Sequence, residues 1–193
     1  MSRDKDAVAR ELLAMRCRRG DRMALEELIR TWERPLLYFI RRLVHDEADA
    51  WDVLQKTWVK VFSGISSLDD PRSLAPWLYR VARNTAFRHA RSLELPHESL
   101  TDYPDASAAD LVGGRVEFED TEQVHRGLLS LSLAHREVLT LFFLEDLSVE
   151  EVAAILGVPP GTVKSRLHYA KQALRKVIEG EASSHEWFEE AVR

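Results

Sequence analysis

One cysteine, Cys17, stands in the whole chain, so neither an intrachain disulfide nor a thiolate zinc cluster can form. On an apparently helical N-terminal segment it is most simply a small core residue. Glycine is scarce, with 8 among 193 residues, and alternating apolar and polar runs are few, which favours helices over sheets. No apolar stretch approaches the roughly 20 residues needed to span a bilayer. The polar opening SRDKDAVARE also lacks the apolar centre of a signal peptide. Together with a composition 45% apolar and 31% charged, these absences lead to the expectation of a cytoplasmic, all-α protein.

Positive charge is also in short supply overall: 27 Lys and Arg face 32 Asp and Glu, for a net charge of −5. The deficit is local. Residues 1–91 carry +5, residues 92–127 carry −7, residues 128–178 carry +1 and residues 179–193 carry −4. Acidity is therefore concentrated in a central segment and a tail, while the two remaining parts are neutral to basic, as contact with phosphates requires. The central segment, LELPHESLTDYPDASAADLVGGRVEFEDTE, holds two prolines and the pair Gly113-Gly114, with no sustained period of 3.6 or 2. It is expected to be an acidic flexible linker in which Leu111, Val116 and Phe118 form a short docked piece. In the tail, Trp187, Phe188, Ala191 and Val192 would share one side of a short helix, with acids on the other.

Residues 147–176, LSVEEVAAILGVPPGTVKSRLHYAKQALRK, carry the densest signal. Ser148 and Glu151 form a capping box, Val152, Ile155 and Leu156 an apolar stripe, and Gly157 the left-handed residue that ends a helix. Pro159 and Pro160 separate that helix from a second, which starts near Pro160 or Gly161. Its buried face is expected at Val163, Leu167, Ala170, Leu174 and Val177, leaving Lys164, Ser165, His168, Tyr169, Gln172 and Arg175 around the wheel. A helix-turn-helix with a cationic, hydrogen-bonding free face is built to enter the major groove of DNA.

Four helices are expected before the linker. A polar break around Gly20-Asp21 precedes one helix with Ala24, Leu25, Leu28, Ile29 and Trp32 inward, and the next carries Leu36, Leu37, Phe39, Ile40, Leu43 and Val44. A third, from about Asp46 to Phe62, buries Ala50, Val53, Leu54, Thr57, Trp58 and Val61. After the turn-rich GISSLDDPRS comes a fourth, Leu74 to about Ser92, with Leu78, Val81, Ala82 and Thr85 inward and Arg80, Arg83, Asn84, Phe87, Arg88 and Arg91 on its other side. A cationic strip holding an aromatic fits a nucleic-acid backbone with unstacked bases.

The string GTVKSRLHYAKQAL, extended upstream by LSLAHREVLTLFFLEDLS, resembles region 4 of bacterial sigma-70 family sigma factors. DAWDVLQKTWVKVF followed by PRSLAPWLYRVARNTAFRHAR resembles their region 2, particularly that of the small extracytoplasmic-function (ECF) group. The length leaves no room for the further domains of housekeeping sigma factors. The resemblance implies two small helical domains, residues 1–95 and 122–178, joined by the linker 96–121 and followed by the acidic tail 179–193. It implies a promoter-specificity subunit that binds the RNA polymerase core, through the β′ clamp helices and the β subunit, together with promoter DNA, and it admits an anti-sigma factor as regulator. Asp52, Gln55 and Trp58 would dock on polymerase, although Lys56 stands where relatives commonly carry an acid. The loop from Ser66 to Arg72, with Ser67, Leu68, Asp69 and Arg72, would engage the −10 element together with Arg80, Arg83, Asn84 and Arg88, and hold a flipped base. Lys164, Ser165, His168 and Tyr169 would meet −35 base edges, with Arg166, Lys171 and Arg175 on phosphates, and the linker would occupy the RNA exit path.

Two other function classes differ in what they demand of the sequence. A stand-alone helix-turn-helix regulator with a receiver domain would show strands and an acidic phosphorylation pocket in its N-terminal half, and no such strands occur. Catalysis finds no constellation: Asp69-Asp70 lies in a turn, His185-Glu186 in the tail, and HEWFEE lacks the second histidine of a zinc-protease helix. No metal and no cofactor is expected.

Overall fold

The computed structural model describes residues 2–44, 46–92 and 127–191, with side chains described between residues 7 and 179 of those spans. The linker 96–121, with Leu111, Val116 and Phe118, lies outside the described residues, as do the tail side chains of Trp187, Phe188, Ala191 and Val192. The described residues are helical, with turns between helices and no strand among them, and they fall into two compact units. No helix among them is long and apolar enough to cross a membrane.

The first unit contains α1 (Ser2–Arg18), α2 (Arg22–Ile40), α3 (Glu47–Gly64) and α4 (Leu74–Ser92). Gly20, at φ 77°, turns the chain out of α1, and Asp21 starts α2 by accepting from the backbone amides of Met23 and Ala24 at 2.9 and 3.2 Å. The two helices expected between residues 24 and 44 are one. Pro35 sits inside α2, where the missing amide and ring clash cost about 3 kcal/mol. Leu28, Trp32, Leu36, Phe39 and Ile40 are buried along a single stripe that runs through it. At about 1.5–3 kcal/mol for each large side chain buried, the stripe outweighs the proline.

Asp46 caps α3 through the Asp49 amide, 2.7 Å away, and all six residues expected to be buried on that helix are buried. Tyr79 of α4 is buried at the centre of the unit, with Trp32 and Phe39 of α2 edge-on to its ring at 6.0 and 5.3 Å. Helix α3 packs along α4, and α1 packs on α2 and on the two short turns that join α3 to α4.

The second unit begins with helical residues 127–129, followed by α5 (Leu133–Leu139), a π-helical turn (Thr140–Leu144), α6 (Val149–Leu156) and α7 (Pro160–Ala191). Gly127 lies against α7 so closely that a Cβ there would fall 2.9 Å from Leu174 Cδ1. Arg136 of α5 ties this first turn down, donating to the carbonyls of Leu128, Leu129 and Leu131 at 2.9–3.1 Å. Helix α5 packs on α7, whose backbone continues unbroken through the tail to Ala191.

Candidate nucleic-acid interface

The expected start of α6 is met in detail. The Ser148 amide donates to Glu151 Oε2 at 2.8 Å, and the Glu151 amide donates back to Ser148 Oγ at 3.2 Å. Gly157, at φ 69°, ends the helix, with the Val158 amide returning to the Ala153 carbonyl at 3.2 Å. Helix α7 then opens at Pro160 and buries Val163, Leu167, Ala170 and Leu174. Phase dictates what remains: Lys164, His168, Lys171 and Arg175, at intervals of four, three and four, make one stripe along the outer side.

Lys164, His168, Tyr169 and Lys171 are half-buried and Arg175 is exposed. The His168 and Tyr169 rings meet edge-on at 5.4 Å, and Gln172 Nε2 stands 3.0 Å from His168 Nε2, so the imidazole is held in place. The Lys171 ammonium lies over the Phe143 ring at 5.5 Å. Arg175 is paired with Glu179 at 2.7 Å, a hydrogen bond that raises its already high pKa. The array offers cations, an imidazole and a phenol to a groove.

Two residues expected on that face are turned away from it. Ser165 is buried and donates to the Thr162 carbonyl at 3.1 Å. Arg166 is 2% exposed. It stands three residues after Val163 and four before Ala170, which places its guanidinium on the buried side, near His135 of α5. Burial, aided by the charge of Arg166, pushes the His135 imidazole below the ordinary histidine value. Position on the wheel, not side-chain type, was the available signal.

In the first unit, the loop between α3 and α4 is stiffer than its composition indicates. Asp70 accepts from the Arg72 backbone amide at 3.0 Å and pairs with its guanidinium at 3.1 Å. The ion pair, with the backbone bond second, lowers the Asp70 carboxyl below the ordinary aspartate value. Asp70 and Pro71 thus build a turn, and Arg72 is committed to it. Ser67 and Asp69 are exposed, with Ser67 Oγ bonded to the Gly64 carbonyl at 2.7 Å. Leu68, expected on the same surface, is buried, because it is the one apolar residue between two polar turns. Trp77 lies flat enough on Gly64 that a Cβ there would meet its ring at 3.3 Å, so it too packs inward.

Arg80, Asn84 and Arg88 are exposed at successive intervals of four along α4, and Arg83 lies over the Phe87 ring at 4.5 Å. The other expected contact set, on α3, splits. Gln55 is exposed, and Asp52 is half-buried and paired with Lys56 at 2.6 Å. Trp58 is 9% exposed and stacked on Phe62 at 5.7 Å, which makes it a core residue in place of a docking one. What the sequence reading missed is an apolar stripe on the phase bordering Trp58: Trp51, Val59 and Phe62 are 42, 69 and 42% exposed and flank Gln55. Among the described residues no cluster of His, Cys, Asp and Glu is gathered to hold a metal.

Comparison with known proteins matches both units. The family model described as Sigma-70 region 2 matches residues 28–94, and that described as Sigma-70, region 4 matches residues 121–174. The chain is 31% identical over 182 residues to the RNA polymerase sigma-H factor of Pseudomonas aeruginosa, covering 86% of this chain and 92% of that one. It is 37% identical over 166 residues to the RNA polymerase sigma-E factor of Streptomyces avermitilis, covering 83% and 88%. In fold it is similar to CnrH, solved in complex with the cytosolic domain of CnrY, at TM-score 0.66 and 24% identity over 89% of this chain and 98% of that one. It is also similar to the sigma factor RpoE of Bartonella quintana, solved in complex with the anti-sigma factor NepR, at TM-score 0.62 and 23% identity over 80% and 96%.

Proposed function

The chain belongs to the sigma-70 family, carrying region 2 and region 4 in that order, and from that premise we propose that it acts as an ECF-type promoter-specificity subunit of RNA polymerase. The observation that carries this reading is the pair of cationic faces on separate units: the α7 stripe beyond a capped helix-turn-helix, and the α4 strip of Arg80, Asn84 and Arg88. Region 2 would be residues 1–95 and region 4 residues 122–178, with 96–121 a linker and 179–193 a tail.

Lys164, His168 and Tyr169 would read −35 base edges, while Lys171 and Arg175 take phosphates. Ser165 and Arg166, both buried, would fix the pose of the helix. The turn bearing Ser67 and Asp69, held by Asp70 and Arg72, would meet the −10 element with Arg80, Arg83, Asn84 and Arg88. Unstacking a base costs a few kcal/mol, so contacts made to the open strand alone must supply it. Gln55 and the Trp51, Val59 and Phe62 stripe would dock on the polymerase core, with Asp52 at its edge. The work is binding without catalysis, carried out in the cytoplasm, and control by an anti-sigma factor is part of the same reading.

Transcription by purified core polymerase from a library of random promoters, with this protein added, tests the proposal. Initiation at a defined two-part sequence is expected, and Lys164→Glu with His168→Ala should shift the −35 preference while core binding stays intact. Failure to bind core polymerase would remove the reading.

A further inference from the structure

Helices α3 and α4 meet along a seam that carries two lysines one turn apart, and the chain treats them differently. Lys56 is answered from within: its Nζ lies 2.6 Å from Asp52 Oδ2 and 3.5 Å from His89 Nδ1, and the same imidazole reaches Asp49 through Nε2 at 2.8 Å. Lys60 has no carboxylate in ion-pair range among the described residues. Its ammonium donates to Thr85 Oγ1 at 2.9 Å, and that buried hydroxyl donates onward to the Val81 carbonyl at 2.8 Å. The contact holds the lysine head at the seam without neutralising it.

Arg88 stands three residues beyond Thr85, on the adjacent exposed side of α4, and it too makes no ion pair with a described residue. Partial burial, then the charges of Arg88 and Lys56, pushes the Lys60 ammonium below the ordinary lysine value. Two like charges facing one seam repel unless an anion joins them. The non-bridging oxygens of one phosphodiester can accept from an ammonium and a guanidinium at once. Arg80, Asn84, Arg88 and Arg91 continue along α4 at intervals of four, four and three, all exposed, so the seat opens onto a track. A track fits a chain of phosphates better than a single anion.

We infer that Lys60 of α3 and Arg88 of α4 together seat one backbone phosphate of a single DNA strand running along α4. This rests on the promoter-binding reading of that face and adds to it a residue from the helix whose other flank carries the exposed apolar stripe. Lys60 would be where one helix serves both partners.

The test uses holoenzyme assembled from the full chain and core polymerase, on a forked promoter DNA, taken from the library above, whose −10 non-template strand is single. Lys60→Gln should weaken binding about tenfold, as expected for one charge-assisted contact. It should also lower the slope of log affinity against log salt by ~0.7, the contribution of one single-strand phosphate. Lys60→Arg should restore most of the binding, and Lys60→Gln with Arg88→Gln should lose less than the two single losses combined. Methylphosphonate linkages introduced one at a time should reveal a position that weakens wild-type binding, weakens Lys60→Gln less, and leaves Lys60→Gln with Arg88→Gln unchanged. Wild-type affinity and slope in Lys60→Gln, or the absence of such a position, would overturn the proposal, as would a matching loss of core binding or of melting temperature. Wild-type holoenzyme that failed to bind the fork would instead bring down the promoter reading on which the seat depends.

Discussion

Trp51 and Trp58 lie on one helix seven residues apart, yet the structure assigns them opposite fates, and truncating each separates core from interface. Trp58 is 9% exposed and stacked on Phe62. Removing a buried Trp side chain costs about 3–5 kcal/mol. The Trp58 indole N–H is buried without a hydrogen-bond partner, a burden of about 1–3 kcal/mol that Ala would relieve. The loss should therefore fall near the lower end, about 3 kcal/mol. At about 4–8 °C per kcal/mol for a domain of this size, Trp58→Ala should lower the melting temperature by more than about 10 °C. Trp58→Phe, which keeps a ring and discards the unpaired donor, should lose far less. Trp51 is 42% exposed. Trp51→Ala should change stability by no more than about 0.5 kcal/mol, yet weaken core polymerase binding about 30-fold if this ring is an interface anchor worth about 2 kcal/mol. Denaturant unfolding of the full chain and a fluorescence titration with core polymerase give both quantities. A stable Trp58→Ala that fails to bind core, or an unstable Trp51→Ala that binds normally, would refute the reasoning.

Other consequences follow from single contacts. Ser148→Ala removes the reciprocal cap of α6 and should destabilise the region 4 unit by about 1 kcal/mol, measured by denaturant unfolding. Gly157→Ala forces a Cβ into a left-handed residue at φ 69° and should cost about 1–2 kcal/mol, although no atom obstructs the Cβ itself. His135 is held below its ordinary value of 6.5, so the unfolded chain binds its proton first. Its contribution to stability is intact above pH 6.5 and declines as pH falls from there toward the folded value. His135→Gln should therefore flatten the acid loss of stability relative to wild type between neutral pH and the region below 6.5. The buried Cys17 thiol is pushed up to about 11, chiefly by desolvation, so labelling by a thiol reagent near neutral pH should follow unfolding and not the native state.

Where one local rule and one periodic stripe agreed, the sequence was sufficient. On α3, a start near Asp46 and six inward residues at helical spacing were legible. The capping box and glycine stop of α6 were legible for the same reason, since each feature is made by residues close in sequence. The two helices expected between residues 24 and 44 proved to be one because their apolar sets were read separately, although a single buried stripe runs through Pro35 and joins them. Arg166 and Leu68 were misplaced because residue type and segment polarity were read ahead of phase: one is a cation at a buried position, the other an apolar residue in a polar turn. Trp51, Val59 and Phe62 escaped notice because apolar residues are taken to be core, and only their exposure in the fold shows otherwise. Lys60 was invisible from sequence, since its meaning depends on which helix lies across the seam.

The unusual Lys56 finds its resolution in that same seam. Its charge is answered by Asp52 and by His89, and the imidazole is itself held by Asp49. The α3 surface proposed to meet polymerase is then Gln55 among exposed Trp51, Val59 and Phe62, with little unpaired charge. Apolar contacts respond weakly to screening, whereas each phosphate contact releases counterions. Core binding by this helix should therefore vary little across a salt series in which forked-DNA binding falls steeply. Lys56→Glu would leave Asp52 facing a like charge, open two carboxylates on this face, and should introduce a salt dependence of core binding that wild type lacks. Measuring holoenzyme assembly by anisotropy across the series decides between the cases. A steep salt slope for core binding in the wild type would mean that Asp52 and Lys56 face polymerase as open charges, and that their pairing does not survive docking.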